Sequence, residues 1–406
     1  MELPAGAGSC GLRRYVVVTS AIDGLRILAL CDYFSTEASG GSERAALELY
    51  RRLVTQGATV RVITTMLRAG HVTPSLPGLD VVVVPSIDLA RPLGVQAGLS
   101  PALFSRVRSI AAAFKADVIH GHTLFFQGSL AAAMLPRAPG VPLVTTAQIA
   151  GLENLREPVR TLGRAYEQTA GRFIIARSDR LIAVSPSVRA HLLTLGADPG
   201  RITVIPNGVD LDQFGAPRAA RAPAAPPIVA FVGRLIKNKG PEVLVDALLE
   251  LHRRRIPFKA RFYGDGPMRD ELVARAREAA TSIEFVGHVS DVATRLTEAD
   301  LLVRPSLTEG LPLAVLEAMA SRVCVVASDI AGNRDLINDG INGLLVPVRD
   351  RVALAASMQR LIQDPAMRTA LANGGYATAQ QYSWDRIAVE TAGVLTAGAH
   401  RDRIAA

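Results

Sequence analysis

The sequence predicts an α/β protein built from two doubly wound domains that face each other across a cleft. Three observations support this prediction. The chain has 406 residues, which is too long for one compact core and suits two domains of ordinary size. Short apolar runs, typical of strands buried on both faces of a parallel sheet, alternate with longer segments of helical period. This alternation stops once, at a stretch rich in Pro and Ala, and then begins again.

The first domain is predicted at residues 25–214. Its strands are predicted at 25–30, 59–65, 80–85, 117–122, 142–147, 180–185 and 202–206. Helical segments lie between several of these strands, as at 42–57 and 101–114. Residues 1–24 form a predicted N-terminal extension, whose two arginines precede only a short apolar run and therefore do not match a signal peptide.

The second domain is predicted at residues 228–378. Before it, residues 215–227 (GAPRAARAPAAPP) have no apolar period and are predicted to be a linker. Strands are predicted at 227–233, 258–264, 283–287, 301–306, 324–328 and 343–347, with a helix at 241–255. Residues 379–406 follow the completed sheet, and their amphipathic stretch is predicted to be a C-terminal helix that packs back on the first domain, followed by a tail.

The composition limits the classes of function. Hydrophobic residues make up 49% of the chain and charged residues 20%, so a disordered chain is excluded. The net charge of +8 favours an anionic partner, which could be a nucleotide, a phospholipid surface or an acidic sugar. We expect no nucleic-acid partner, because no nucleic-acid motif and no basic stripe rich in aromatic residues is present.

The same sequence bears on location. No run approaches 18 apolar residues, so no membrane span is predicted. The three cysteines, Cys10, Cys31 and Cys324, are widely spaced and odd in number, as expected for small buried residues in a reducing cytosol. We therefore predict a cytoplasmic protein, with peripheral contact at the inner face of the membrane as a further hypothesis.

One motif of the first domain suggests a ligand contact. In ASGGSER (38–44), between a strand and a helix, Gly40 and Gly41 would allow close backbone approach, and Ser42 would cap the helix, so that N–H groups face a phosphate. The alternative is a plain flexible turn. The motif is neither G-x-G-x-x-G nor a P-loop, which argues against NAD binding and P-loop hydrolysis.

Two other short motifs have the residue types of a metal site, but we predict no metal site at either of them. His120 and His122 end a strand as H-x-H, but a third ligand is not apparent nearby. We assign His120 to a structural hydrogen bond and His122, which lies over the cleft, to a functional role. Asp210 and Asp212 formally match the metal-binding D-x-D of many sugar transferases, but a turn with short acids is the favoured interpretation.

The second domain carries charged residues near its strand ends. In VGRLIKNKG (232–240), Arg234 and Lys239 would project from the carboxyl end of a strand, as a diphosphate clamp requires. The alternative is a solvated basic loop. Only four of the 45 basic residues are lysines, and two of them lie in this segment. This concentration favours a functional role over a solvated loop.

The segment TEGLPLAVLEAMA (308–320) places one acid on each side of a helix start. Pro312 predicts that the helix begins there, with Glu309 in the loop at its mouth and Glu317 farther along it. The alternative interpretation is an acid near a helix N-terminus and an ordinary surface glutamate.

In order and spacing, these motifs resemble those of glycosyltransferase family 4, which contains retaining enzymes of the GT-B fold. The resemblance covers residues 25–390. It rests on the Gly-Gly loop, His122, VIPNGVD, VGRLIKNKG, YGDGP, FVGHVSD and above all EGLPLAVLEAMA. It implies two facing Rossmann-like domains, with a nucleotide-sugar held mainly by the second.

The resemblance also implies roles for single residues. Arg234 and Lys239 would bind the diphosphate, Glu317 the ribose, and His122 would reach across the cleft to the sugar. Glu309 would hold the donor sugar together with backbone N–H groups. Of these residues, His122, Glu309, Arg234 and Lys239 would be catalytic. The other implied donor-binding residues are Gly40, Gly41, Asn207, Gly287, His288, Val289, Gly310, Leu311, Pro312 and Leu313.

The expected function is that of a retaining, metal-independent glycosyltransferase that needs no cofactor. The donor would be a UDP- or GDP-linked sugar, and the acceptor a glycan, a lipid-linked precursor or a small molecule. The alternatives are an inactive nucleotide-sugar or glycan-binding protein, a GT-B epimerase and an inverting transferase. Arg156, Arg160 and Arg164 recur every four residues and would meet an anionic acceptor or membrane, although pairing with Glu153 and Glu157 is the favoured interpretation.

Overall fold

The structure is a computed structural model, which describes most of the chain. The described residues are 22–35, 40–66, 72–88, 98–124, 127–149, 151–152, 157–218 and 225–399. The predicted extension, the middle of the predicted linker and the predicted tail therefore lie largely outside the described residues. So do Arg156 and Glu153 of the arginine stripe.

The first sheet is parallel and has the strand order β3-β2-β1-β6-β7-β8-β9. Its strands are β1 (Arg26–Leu30), β2 (Thr59–Met66), β3 (Leu79–Pro85), β6 (Val118–Gly121), β7 (Leu143–Ala147), β8 (Arg180–Ala183) and β9 (Ile202–Val204). A short antiparallel pair that the sequence did not predict, β4 (Ile87–Asp88) and β5 (Gly98–Leu99), lies apart from it.

The helices of this part of the chain are α1 (Gly41–Thr55), α2 (Pro101–Phe114), α3 (Gln127–Met134), α4 (Val159–Tyr166), α5 (Arg172–Arg177), α6 (Pro186–Thr194) and α7 (Leu211–Phe214). The predicted helix 101–114 is confirmed in both bounds. The predicted cap Ser42 is wrong, because α1 already begins at Gly41 and the extended backbone of Gly40 precedes it.

The second sheet is also parallel, with the strand order β12-β11-β10-β13-β14-β15. Its strands are β10 (Ile228–Val232), β11 (Lys259–Tyr263), β12 (Ile283–Gly287), β13 (Leu301–Arg304), β14 (Cys324–Ser328) and β15 (Leu344–Val346). The strand predicted at 301–306 ends at Arg304, because Pro305 has no N–H to donate to the ladder.

The helices that follow the linker are α8 (Pro241–Arg253), α9 (Arg269–Arg275), α10 (Val292–Glu298), α11 (Leu313–Ala320), α12 (Ala331–Arg334), α13 (Arg351–Gln363), α14 (Pro365–Ala379) and α15 (Trp384–Ala399). The last helix, α15, packs against α1, β6 and β7. Trp384, Ile387 and Leu395 are buried in the same apolar cluster as Ile27 of β1 and Leu53 of α1. The C-terminal helix thus completes one face of the first domain.

In both sheets the strand order reverses once, between β1 and β6 and between β10 and β13. At such a switch point the flanking connections leave to opposite faces of the sheet, and a crevice opens outside the carboxyl ends of the strands. Two doubly wound parallel sheets are therefore confirmed, and each has the switch point at which such sheets bind ligands. None of the helices in the described ranges combines the length and apolar character needed to cross a bilayer.

Candidate active site

A cluster of charges lies at the switch point of the second sheet. Lys239 follows β10, and its Nζ donates to both carboxylate oxygens of Glu309 at 2.8 Å. Arg304, the last residue of β13, donates to Glu309 Oε1 from Nε at 3.1 Å, and its Nη2 lies 3.0 Å from the same atom. Ser306 Oγ adds a fourth contact to Oε1 at 2.8 Å. One buried carboxylate therefore holds two cations at the carboxyl ends of adjacent strands.

Positive groups outnumber negative groups in this cluster, and the pKa values of its members are shifted accordingly. Burial alone would raise the pKa of Glu309, but the charges of Lys239 and Arg304 and the hydrogen bonds that it accepts lower it to about 2. Burial lowers the pKa of Lys239 to about 8. Glu309 opposes this change, while Arg304 and Arg234 add to it. Lys239 faces one carboxylate and two guanidinium groups, so its surroundings favour a further anion.

Arg234 also belongs to this group of charges. Burial lowers its pKa, while the nearby carboxylate of Glu43, from the first turn of α1, opposes that change. Glu43 is itself buried. Arg234 and Lys239 therefore lie within one group of charges, and a first-domain acid acts on Arg234, while their role as a diphosphate clamp stays a prediction.

The helix start beside the cluster differs slightly from the prediction. Pro312 has an extended backbone, with ψ at 105°, and serves as the N-cap, so α11 begins at Leu313. Glu309 lies in the preceding loop as predicted. Glu317 is only 4% exposed, which overturns the alternative of an ordinary surface glutamate.

Glu317 is paired across the cleft. Arg44 of α1 reaches it from the first domain, with Nη2 at 2.6 Å from Oε1 and Nη1 at 3.5 Å from Oε2. Burial raises the pKa of Glu317, and the Arg44 charge opposes this change. The predicted ribose ligand is therefore an acid that bridges the two domains in this structure.

His122 faces the same cleft from the first domain, just beyond β6. Its ring is buried, and Nε2 lies 3.1 Å from the Ser42 carbonyl oxygen. Because a carbonyl only accepts, Nε2 carries the proton and Nδ1 has a lone pair, for which the described residues provide no partner. Burial lowers the pKa of His122 to about 4, against the hydrogen bond to Ser42, so the ring is neutral at pH 7.

His120 has the structural role that we predicted. Its two ring nitrogens contact Tyr50 Oη at 2.9 Å and Thr146 Oγ1 at 2.8 Å, and the residue is completely buried.

The two domains meet closely next to His122. Asn207 Nδ2 donates to Gln148 Oε1 at 3.0 Å, and Gln148 Nε2 lies 3.5 Å from His122 Nε2. Gly310 approaches the Gln148 backbone so closely that an added Cβ would lie 1.9 Å from its carbonyl oxygen. Thr308 Oγ1 donates to the Gly151 carbonyl at 2.8 Å. Gln148 therefore contacts Asn207 and His122 of its own domain and Gly310 of the other domain.

The remaining predicted residues are placed less closely. Gly41 faces Leu313, since a Cβ added to Gly41 would lie 4.0 Å from Leu313 Cδ1. Leu311, two residues before Leu313, is buried. Gly287 ends β12, two strands away from β10, and His288 is exposed beyond it. The donor-binding role implied for Gly287, His288 and Val289 stays a prediction.

The D-x-D motif is explained locally. Asp210 Oδ1 accepts from the backbone N–H groups of Asp212 and Gln213 and so caps α7, while its Oδ2 accepts from Arg52 Nη2 at 2.9 Å. Within the described ranges, no group of three or more His, Cys, Asp or Glu side chains is arranged to hold a metal ion.

Of the arginine stripe, Arg160 and Arg164 lie on α4. Arg160 Nη2 is 2.7 Å from Glu157 Oε1, as the favoured pairing predicts.

Sequence reasoning missed Arg304, Arg44, Gln148 and Ser306. Arg304 had a signal that could have been used, since it is an arginine inside an apolar strand run and directly precedes a proline. Arg44 stands in the quoted ASGGSER motif, but a helical arginine is so often a solvated residue that its pattern alone carries little information.

Comparisons with known proteins identify the family of this chain. The family model described as Glycosyltransferase Family 4 matches residues 39–213, and the model described as Glycosyl transferases group 1 matches residues 226–364. The chain is similar to a D-inositol 3-phosphate glycosyltransferase of Frankia alni, with 32% identity over 396 residues that cover 87% of this chain and 93% of the relative. The chain belongs to glycosyltransferase family 4.

A second relative of this family-4 glycosyltransferase, from Actinosynnema mirum, bears the same name. It is 34% identical over 301 residues, which cover 66% of this chain and 70% of that protein.

Solved structures confirm the GT-B fold of the family-4 chain. Sucrose-phosphate synthase of Thermosynechococcus elongatus superposes with a TM-score of 0.78 at 22% identity, over 94% of this chain and 99% of the other. Anabaena HepE, solved in complex with UDP and glucose, gives a TM-score of 0.71 at 20% identity, over 92% of this chain and 99% of the other.

Proposed function

We propose that this glycosyltransferase transfers a sugar from a nucleoside diphosphate sugar to a small hydroxylated acceptor, with retention of anomeric configuration and without a metal ion. A UDP-linked donor is the first candidate, because the similar HepE structure contains UDP. D-Inositol 3-phosphate is the first acceptor to test, because it is the acceptor in the names of the relatives.

One observation carries this proposal: three cations, Lys239, Arg234 and Arg304, lie together with two carboxylates, Glu309 and Glu43. Burying cations in excess of anions is unfavourable unless a further anion joins them. The diphosphate of a nucleotide-sugar supplies two negative charges in a compact group. The site lies at a switch point, where open α/β sheets bind their ligands. A binding site for a diphosphate therefore fits both the charge and the position.

The first residues of α11 add to this site. Their N–H groups have no acceptor within the helix, and the positive end of the helix dipole favours an anion. The helix begins at Leu313, four residues after Glu309. The helix terminus would act together with Lys239 and Arg234 to offset the charge that develops on the leaving diphosphate. In metal-dependent enzymes a divalent cation offsets this charge.

Glu309 would orient the donor sugar as well as the cations. Its Oε1 accepts from Lys239, Arg304 and Ser306, whereas Oε2 accepts only from Lys239 among the described residues. The remaining lone pair of Oε2 is available for a sugar hydroxyl. His122 Nδ1 would accept from another sugar hydroxyl across the cleft.

The reaction that this arrangement supports is front-face substitution. The bond from the anomeric carbon to the phosphate oxygen breaks, with the electron pair passing to that oxygen. The acceptor oxygen bonds to the same face of the anomeric carbon, and its proton moves to the leaving phosphate. Glu309 is held by Lys239, Arg304 and Ser306, so we assign it to orienting the sugar and not to nucleophilic attack, and same-face attack then accounts for retention. His122, which is neutral at pH 7, orients the sugar instead of acting as an obligatory base.

The first experiment is a thermal-shift screen of UDP- and GDP-linked sugars, since a ligand that binds the folded state raises the melting temperature. The stabilising donor is then incubated with D-inositol 3-phosphate in excess EDTA, and the product is examined by NMR. We expect a product with the donor's anomeric configuration. An inverted product or abolition by EDTA would overturn the mechanism, and donor binding without any turnover would favour the inactive sugar-binding alternative.

The proposed cytoplasmic location with peripheral membrane contact has a separate test. Salt-sensitive sedimentation with anionic liposomes would support the membrane contact, and its absence would leave the arginines of α4 to the favoured internal pairing.

A further inference from the structure

Arg304 is an unusual residue for its position. It ends β13, is 6% exposed, and lies between the second sheet's two central strands and the charged loop. Its guanidinium stands over the ring of Phe231 of β10, 5.7 Å from the ring centroid. Its Nη1 donates to the carbonyl of Val232, the last residue of β10, at 2.5 Å. One edge of the guanidinium is therefore fixed to the backbone of the neighbouring strand.

The other edge of the guanidinium is fixed to Glu309. Nε and Nη2 both approach Oε1, at 3.1 and 3.0 Å. The guanidinium is planar and its donors have fixed directions, so two fixed edges leave it one orientation. Gly233 lies against the guanidinium so closely that an added Cβ would be 2.3 Å from Nη1, so a residue with a side chain there would displace it.

Glu309 in turn fixes Lys239. The loop from Pro305 to Pro312 carries the carboxylate between the strand end and the helix, and the ammonium of Lys239 contacts both of its oxygens at 2.8 Å. Lys239 itself belongs to a different segment, the single helical turn after β10. The chain of contacts thus runs from the sheet to Arg304, to Glu309 and to Lys239.

We propose that Arg304 is a positioning residue of the donor site, which holds the Glu309 carboxylate in one orientation and through it places the Lys239 ammonium against the donor diphosphate. This inference rests on the proposed function, because it takes a nucleoside diphosphate as the ligand of Lys239.

Arg304 also acts on Lys239 through its charge. The charged groups that face Lys239 are Glu309, which favours its protonated form, and Arg304 and Arg234, which disfavour it. On the first domain, Glu43 lies beside Arg234. Removing the charge of Arg304 takes away a repulsion and leaves Lys239 as the cation that Glu309 holds. Both changes raise the pKa of Lys239 from its value of about 8.

A residue that only ties the strand ends together would not have this effect, so the pH dependence of binding distinguishes the two roles. The measurement is the dissociation constant of UDP, by isothermal titration calorimetry, between about pH 6.5 and 9, a range that spans the Lys239 titration. UDP ionises identically with every variant, so differences between variants belong to the protein.

Wild-type affinity should fall as the pH rises through about 8, where Lys239 loses its proton. In Arg304→Met we expect affinity at pH 7 to fall by about tenfold to a hundredfold, the usual range for losing hydrogen bonds to a charged group. The decline in affinity should also begin at a higher pH. Arg304→Lys keeps the charge but not the two-edged geometry, so it should bind weakly with a decline near that of the wild type.

Two controls complete the design. Lys239→Gln should bind weakly with no decline over this range, because the titrating group is gone. Arg261→Met removes an arginine of the adjacent strand β11, which pairs with Glu298, and should match the wild type. Circular dichroism confirms folding, and if Arg304→Met does not fold, Arg304→Gln, which also removes the charge, takes its place. Wild-type affinity with an unchanged decline in the variant without the charge would overturn the inference. A wild type that bound neither UDP nor GDP would overturn the proposed function instead.

Discussion

Replacing Glu309 by Gln should destabilise the protein by an amount that follows from the pKa of this carboxyl. That pKa is about 2, against 4.5 for a free glutamate. Each unit of difference between the folded-state and unfolded-state pKa corresponds to about 1.4 kcal/mol. At pH 7 the ionised form of Glu309 therefore stabilises the folded state by about 3 kcal/mol. This is an upper value for the substitution, because Lys239 can release its proton once the carboxylate is gone. We expect a loss of about 2–3 kcal/mol.

The sign of the pH dependence follows from the same values. The folded-state pKa lies below the unfolded one, so the stabilisation is complete above about pH 4.5 and is lost as the pH falls towards 2. The difference between wild type and Glu309→Gln should therefore be largest near neutral pH and shrink on acidification.

The assay is urea unfolding followed by circular dichroism at pH 7 and at lower pH. With a urea dependence of about 2 kcal/mol per molar, the midpoint should fall by about 1 M or more. Glu250→Gln is the matched control, since Glu250 is an exposed partner of Arg253 and Arg254 on α8, and its midpoint should stay unchanged. Equal midpoints for wild type and Glu309→Gln would refute the claim that Lys239 and Arg304 stabilise the carboxylate.

Three further predictions concern the cleft. Arg44→Met leaves the buried Glu317 without its partner, so the free energy of unfolding should fall by about 2 kcal/mol. The double variant Arg44→Met/Glu317→Gln should recover this loss, as a double-mutant cycle measured by chemical denaturation would show. Gly310→Ala must push the Gln148 backbone away, so kcat/KM should fall about 10²-fold while circular dichroism stays unchanged; normal kinetics would contradict the close contact. Arg234→Ala and Lys239→Ala should each lower kcat/KM by about 10² or more in steady-state assays, and near-normal turnover would return both residues to a solvated loop.

The sequence by itself predicted the architecture. Apolar runs that are buried on both faces predict parallel strands wherever they occur, because only a sheet covered by helices requires them, and both sheets appeared in place. The ends of the strands were less certain. The prediction at 301–306 extended past Pro305, since apolar period does not show where the hydrogen-bond ladder ends.

The sequence also located most of the charged residues that meet in the cleft. Strand ends in a parallel sheet share one edge, so residues that follow β10 and β13 had to lie close together. Arg234, Lys239 and Glu309 could be predicted for that reason, and their spacing matched a family pattern. Arg304 could not be assigned in the same way, because its importance depends on which strand lies beside β13.

Only the tertiary structure decided how those charges are paired. Local sequence does not specify that Lys239 and Arg304 share one carboxylate, that Arg44 reaches Glu317 from the other domain, or that Ser42 sets the protonated nitrogen of His122. These contacts join residues up to 273 positions apart in the chain. Periodicity reports which face of one element is buried, whereas pairing depends on the distance between side chains of different elements, which is fixed only when the domains have packed together.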